Sequence, residues 1–332
     1  MSNTQPAAAL LLSLLVATCA APPPPGSAAC APKPLARLPV AFHGGIPTIA
    51  AQIDGQPVTM VLDLGAEVSV LAETTADRLH LTRDPSALPT ITGVGGSMMR
   101  WAAIAGHLRL ADLTLNDKRM EVAPMLLGSA QHPIDGALGL DVLRKYDIDW
   151  DLPHHLVTLN AGAGCDGPPA GWPSPSVEVS LHHPMVEEGS GPGSKLILIP
   201  VTVDGRKLTA MLDTGSGADV IDPAAAASLE PLDARGEKIV HFRGIGPGSE
   251  AGFIYRFASL TVAGETVTGP EMAVGPVPIW AGSGMVLGVR FMRRHRAWLP
   301  AGDSSIWFGP PEAPQPAGAP SVPSPPATAG AL

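Results

Sequence analysis

The sequence predicts an all-β protein built from two tandem copies of one small domain, and three observations carry that prediction. The stretch "IAAQIDGQPVTMVLDLGAEVSVL" (49–71) aligns with "IPVTVDGRKLTAMLDTGSGADVI" (199–221), so the chain contains an internal repeat. Within each copy, apolar residues alternate with polar ones or come in short runs rich in Val, Ile, Leu and Thr. Asp54-Gly55 and Asp204-Gly205 stand between such runs, where a tight hairpin turn needs positive φ.

The repeat keeps its spacing along its length. Asp54/Asp204 and Asp63/Asp213 are offset by 150 residues, Gly95/Gly246 in "TGVGG" and "RGIGP" by 151, and Gly139/Gly288 in "GALGLDVLRKY" and "GMVLGVRFMRRH" by 149. Only "LAETTADRLHL" (71–81) and "DPAAAASLE" (222–230) read as short helices, one per copy. The copies are expected over 40–160 and 195–309. Between them, 161–194 is rich in Gly, Pro and Ser and reads as a linker; 22–39 and 310–332, rich in Pro and Ala, read as a linker and a disordered tail.

Composition narrows the function classes. With 332 residues, 45% of them apolar, the chain has room for a core in each copy. A net charge of -9, with basic residues scattered apart from Arg293, Arg294 and Arg296, argues against nucleic acid as a partner. The run from Ala7 to Ala17 has the length of a signal-peptide core and is too short to span a bilayer, so 1–21 is read as an export signal. "LVATCAAPPPP" resembles a bacterial lipoprotein signal. Cys19 is then a candidate for lipidation and membrane attachment, the alternative being ordinary cleavage near Ala20 or Ala21. The expected location is outside the cytoplasm, periplasmic or lipid-anchored. Cys30 and Cys165 remain as an even pair, a candidate disulfide or two free thiols.

The chemistry is concentrated in "LDLGAEVSVL" and "LDTGSGADVI", where an acid interrupts two apolar runs in both copies. An extended hairpin, then apolar-apolar-Asp-Thr-Gly-Ser/Ala, an apolar strand, a Gly-x-Gly turn and a late apolar-apolar-Gly resemble the retropepsin-like aspartic proteases. The resemblance covers about 40–160 and 194–309. It implies two retropepsin-like (acid protease) β-barrel domains in a pseudo-twofold, bilobal, pepsin-like arrangement, with Asp63 and Asp213 as a catalytic pair within one chain. Two such carboxylates, held close, share one proton; the ionised member activates water and the protonated member hydrogen-bonds the developing oxyanion. A peptide or protein substrate is implied, with no cofactor, no metal and a monomeric chain.

By the same resemblance, Leu64, Gly65, Ala66, Thr214, Gly215 and Ser216 support the pair. Gly65 and Gly215 would let each loop turn next to its acid, and the Thr214 hydroxyl would bond across to the partner loop. Leu64 departs from that pattern and removes one hydrogen bond, worth about 0.5–1.5 kcal/mol, so the first loop is expected to be held more loosely. Gly93, Val94, Gly95 and Gly96 are expected to form a flap, with Met98, Met99 and Trp101 lining a cleft; Gly244, Ile245 and Gly246 form a second, less apt one because Pro247 lacks a backbone donor.

Other residues are read more simply. His154/His155 and His182/His183 are solvated linker pairs, since neighbours on a strand diverge and chelate poorly. Asp147, Asp149 and Asp151 lie on an exposed strand face, and the Trp residues 172, 280, 298 and 307 on core or edge. Ser69, Ser216 and Ser283 lack triad partners. Two rival readings remain: a peptide-binding or assembly protein of the envelope without turnover, and an enzyme active only as a homodimer of second copies.

Overall fold

The computed structural model describes residues 31–84, 90–99, 101–125, 128, 133–162, 167–181, 196–233, 238–276, 283–301 and 305–313. Alternating sequence becomes strand, and the Asp-Gly pairs become the turns between them: Asp54 and Asp204 both have φ 48°, followed by Gly55 at 80° and Gly205 at 78°. Each pair joins two long strands, Ile46–Ile53 to Gln56–Leu62 in the first half and Leu198–Val203 to Arg206–Leu212 in the second.

The two halves repeat one pairing scheme, so the molecule is all-β with two tandem domains of one fold. In the first, Gln56–Leu62 runs parallel to Gly136–Leu138, which is antiparallel to Val70–Ala72, which is parallel to Leu113–Ala123. In the second, Arg206–Leu212, Met285–Leu287, Val220–Ile221 and Glu271–Val274 follow the same sequence of pairings. Because Ile46–Ile53 also pairs with Ala102–Leu110, the first sheet closes into a barrel. The second half breaks the equivalent long hairpin into Glu250–Arg256, Ser259–Val262, Glu265–Thr268 and Glu271–Val274, giving an open nine-stranded sheet.

A six-stranded sheet underlies both halves. Its order is Lys33–Pro39, Leu156–Ala161, Tyr146–Asp151, His295–Leu299, Ser305–Pro311 and Val177–Ser180, and the halves meet where Ile148 faces Leu299 and Trp150 faces Ala297. One buried cluster runs through all of it, from Leu38 and Trp150 to Leu212, Leu287 and Phe308. Ordered structure therefore extends beyond the expected boundaries. Lys33–Pro39 lies in the segment read as a Pro/Ala-rich linker, and Val177–Ser180 in the one read as a Gly/Pro-rich linker. Both are edge strands, the positions at which a sheet tolerates Pro.

Local details differ from the sequence reading in three places. The helices at Glu73–Arg78 and Pro223–Ala226 are present, but single turns at Leu140–Leu143 and Val289–Met292 accompany them, too short to show a helical period. Asp147, Asp149 and Asp151 do not form an exposed face: Asp147 is 1% exposed and Asp151 9%. Their strand is interior to the base sheet, and each acid has a donor there, the Ala301 N–H for Asp147, the Arg296 guanidinium in two bonds for Asp149, and His154 beside Asp151. His154 and His155 are likewise engaged, His155 against the Val40 carbonyl and the Phe42 ring. Trp298 is core, with Trp172 edge-on to it and Arg296 over the Trp172 ring. His182, His183 and Trp280 lie outside the described residues, as do Cys19, Cys30 and Cys165.

Candidate active site

Asp63 and Asp213 each follow the last residue of an apolar strand, so they begin loops at the same point of the two halves. The Asp63 N–H donates to the Leu138 carbonyl (3.0 Å) and the Asp213 N–H to that of Leu287 (2.9 Å). Beyond each acid the loop is tied to the next helical turn, by Leu140 N–H to Ala66 O (2.8 Å) and by Val289 N–H to Ser216 O (2.9 Å). Backbone donors also point inward at the carboxylates, Gly65 at Asp63 Oδ1 (2.8 Å) and Ser216 at Asp213 Oδ1 (3.1 Å).

The loops bring the two acids together, each against the glycine of the opposite loop. Glycine makes that approach available. A Cβ on Gly65 would lie 2.4 Å from Asp213 Cγ, and one on Gly215 would lie 2.7 Å from Asp63 Oδ2. Each glycine therefore packs on the acid of the opposite loop, not on its own. Burial pushes Asp213 well above the ordinary carboxylate range, and the charge of Asp63 beside it pushes the same way. Burial raises Asp63 too, but bonds from Gly65, Asp213, Gly215 and Ala66 counter it. Both carboxyls are thus held above the ordinary range, Asp213 the further of the two.

Below the acids, Thr214 is completely buried and bridges the halves: its hydroxyl donates to the Leu62 carbonyl (2.7 Å) and accepts from the Leu64 N–H (3.0 Å). The first loop is not held loosely at Leu64. The side chain is 1% exposed and packs in the central apolar cluster, around a small cavity it shares with Leu140, Leu143, Ile148 and Ile197. Apolar contact replaces the missing hydroxyl. Leu64→Thr is accordingly expected to destabilise the protein by about 2 kcal/mol, because lost apolar burial outweighs one recovered hydrogen bond. Urea unfolding of the two proteins measures this; a more stable variant would mean that the cross-loop bond dominates.

Two hairpins roof the site. Thr90–Gly93 pairs with Gly96–Met99, and Lys238–Phe242 with Glu250–Arg256. Their tips touch: Gly95 N–H donates to Ile245 O (3.0 Å), and Gly248 N–H returns a bond to Gly95 O (3.1 Å). Gly246 adds a bond to Pro124 O (3.1 Å), so the donors on either side of Pro247 do what Pro247 itself cannot. Under this roof lies a cleft of about 560 Å³, floored by Asp63, Asp213, Gly65 and Gly215 and walled by Thr92–Val94 and by 240–245. Met98, Met99 and Trp101 do not line it. Met98 packs beside Val70 and Ile245, Met99 is exposed, and Trp101 turns to the core under Arg83. Side chains alternate along each strand of this hairpin, so Met98 falls on the face opposite Thr90 and Thr92, which with Val94 line the cleft.

Sequence reasoning missed several wall residues, among them Ile46, Glu121, Met211 and Val286. Met211 belongs to the strand that runs into the Asp213 loop and Val286 to the strand paired beside it, but in the sequence they read only as core.

The profile of the aspartyl protease family matches residues 49–142 and 199–291, together more than half of the chain. The chain belongs to that family. Among curated relatives, Protein DDI1 homolog 1 of Homo sapiens is 26% identical over 161 residues, 48% of this chain and 38% of that protein. Protein DDI1 homolog 2 of Xenopus laevis is 26% identical over 113 residues, 33% of this chain and 27% of that one. The chain thus spans well under half the length of the relatives it matches. Both family segments contain an acid loop, and the match ends in each half at the helical turn after Gly139 or Gly288.

Within this member of the aspartyl protease family the two halves brace their loops differently. In the first, Ser69 accepts from Gly139 N–H (3.1 Å) and donates to Asp141 (2.7 Å), which pairs with Lys118. In the second, Asp219 replaces Ser69 and accepts from Gly288 N–H (2.9 Å). Burial raises Asp219 to about 6. A carboxyl raised in the folded state favours folding fully below its unfolded range and loses that contribution as pH climbs from about 4 to 6. Asp219→Asn keeps the acceptor without the charge and is expected to gain up to about 3 kcal/mol at pH 7 and little at pH 4. Thermal melts at both pH values check this; equal shifts would mean the charge is not the cause.

Among the described residues, no three His, Cys, Asp or Glu side chains converge as metal ligands, and no helix is long and apolar enough to cross a membrane.

Proposed function

We propose that this chain is an exported aspartic endopeptidase in which Asp63 and Asp213 form an intramolecular dyad. The observation that carries the reading is the placing of the two carboxyls side by side, each packed on the glycine of the opposite loop, with a roofed cleft above them. Ionised Asp63 takes a proton from a bridging water as its oxygen attacks the scissile carbonyl carbon. Protonated Asp213 donates a hydrogen bond to the oxygen that gains charge. Collapse of the tetrahedral intermediate breaks the C–N bond, and the proton held by Asp63 goes to the leaving nitrogen. The substrate lies extended, since strands wall the cleft and an extended segment can bond to their backbone. For it to enter, the Gly95–Ile245 and Gly248–Gly95 bonds must open, which makes the flap tips the gate. Export follows from the apolar run before Cys19, with lipidation at Cys19 as one form of attachment.

The test is cleavage of a diverse peptide library by the purified protein from pH 3 to 8, with and without pepstatin. Turnover that pepstatin abolishes supports the dyad. Peptides that bind and are never cut would favour the second reading, a peptide-binding module, for which Leu64 in place of the threonine hydroxyl is the motivating feature.

A further inference from the structure

One acid in the cleft wall has no role in the chemistry above. Glu121 lies on Leu113–Ala123, beside Val70, its neighbour in the parallel pair that carries the first acid loop. It lines the cleft and is only 4% exposed. Its Oε1 accepts from Arg119 Nη1 (2.6 Å), but Arg119 is shared with Asp84, which takes its Nε (2.8 Å). The second oxygen, Oε2, is shielded from solvent and meets no hydrogen-bond donor. An acceptor buried in that state is costly to keep unless something else completes it.

We propose that the first-domain wall of the cleft is a subsite for a basic substrate side chain, lysine or arginine, whose cation is received by the free oxygen of Glu121. The proposal rests on the reading that an extended peptide occupies the cleft. A chain lying over Asp63 and Asp213 sends alternate side chains to opposite walls, and one directed past Val70 meets Glu121. A lysine or arginine there has both the reach and the donor that Oε2 lacks. Burial raises Glu121 and Arg119 opposes that shift, so an incoming cation strengthens the charged form.

The second domain breaks the symmetry. Ala273 faces Val220 as Glu121 faces Val70, and it offers no charge. Its side of the cleft contributes His241 and Arg243 instead. A basic residue therefore suits one wall only, and the pseudo-twofold site acquires a direction.

The test uses fluorescent octapeptides in which each position in turn carries Lys, norleucine or Glu. Binding to the Asp213→Asn protein is read by anisotropy, and kcat/KM is measured on the unsubstituted protein. At one position Lys should bind about tenfold more tightly than norleucine, and Glu more weakly. Adding Glu121→Gln should bring that ratio to about one, while Glu67→Gln, which removes the other glutamate lining the cleft, should leave it intact. No position with more than a roughly twofold Lys preference would overturn the proposal. So would a preference that survives Glu121→Gln, or one lost in Glu67→Gln, which also decides the case if Glu121→Gln does not fold. A Lys preference in binding with no turnover of any peptide would uphold the subsite and defeat the protease reading. Failure of every peptide to bind would defeat both.

Discussion

Asp213→Asn is expected to lower kcat by about a thousandfold while leaving the fold intact, and Asp63→Asn to do the same. Asn matches Asp in shape, so the backbone donors from Ser216 and Gly65 keep an acceptor and the loops need not move. What disappears is proton transfer. A positioned acid or base contributes about 10²–10⁴ in rate, and in the proposed dyad one proton serves both residues, so removing either leaves the other without its partner. The double variant should therefore be little worse than either single one, because the losses of groups that act as a unit do not add. Single-turnover rates on one good peptide, with thermal melts as the control for folding, check this. Full activity in Asp63→Asn would sink the intramolecular dyad and point to Asp213 pairing between two chains, which the molecular mass at working concentration would then show.

Gly65→Ala is expected to cost at least about a hundredfold in kcat/KM, although no catalytic group is touched. The new methyl would stand 2.4 Å from Asp213 Cγ and 2.6 Å from its Oδ1, closer than any real contact. Something must give, and Asp213 sits between the loop below it and the substrate above. A displacement of about 1 Å at a reacting group is enough for a loss of that size. Gly215→Ala should behave alike through its 2.7 Å approach to Asp63 Oδ2. The same substitution at Gly167, where a Cβ would meet only the Trp307 ring at 3.5 Å, serves as a control expected to be near neutral. Activity within about tenfold of the parent in Gly65→Ala, at unchanged stability, would show that the dyad tolerates separation. The crossed packing of glycine on the opposite acid would then not be what sets its geometry.

Much of this protein is legible in its sequence because the information is local or repeated. The Asp-Gly turns follow from positive φ, the strands from alternation, and the two halves from offsets that stay at 149 to 151 residues. The acids stand out because a carboxylate between two apolar runs has no structural reason to be there unless something compensates it. Those features belong to single strands and turns, and the pairing scheme repeats them faithfully in both halves.

Other features depend on what each residue meets across the fold, which neither periodicity nor spacing records. The sequence carries Leu64 as a missing hydroxyl; only the packing of Leu140, Leu143 and Ile197 around it makes it an anchor. Asp147 and Asp151 alternate as surface residues do, yet their strand is covered on both sides by pairings with Leu156–Ala161 and His295–Leu299, so they are buried. Glu121 reads as one charge on a strand and becomes a cleft residue because Leu113–Ala123 lies beside the first acid loop. The sequence by itself determined the two domains, their strands and the two acids, since these rest on the conformational preferences of neighbouring residues. Tertiary structure alone decided what shifts the two acids, what secures the loops and how the cleft walls differ, because burial and charge proximity arise only when distant segments meet.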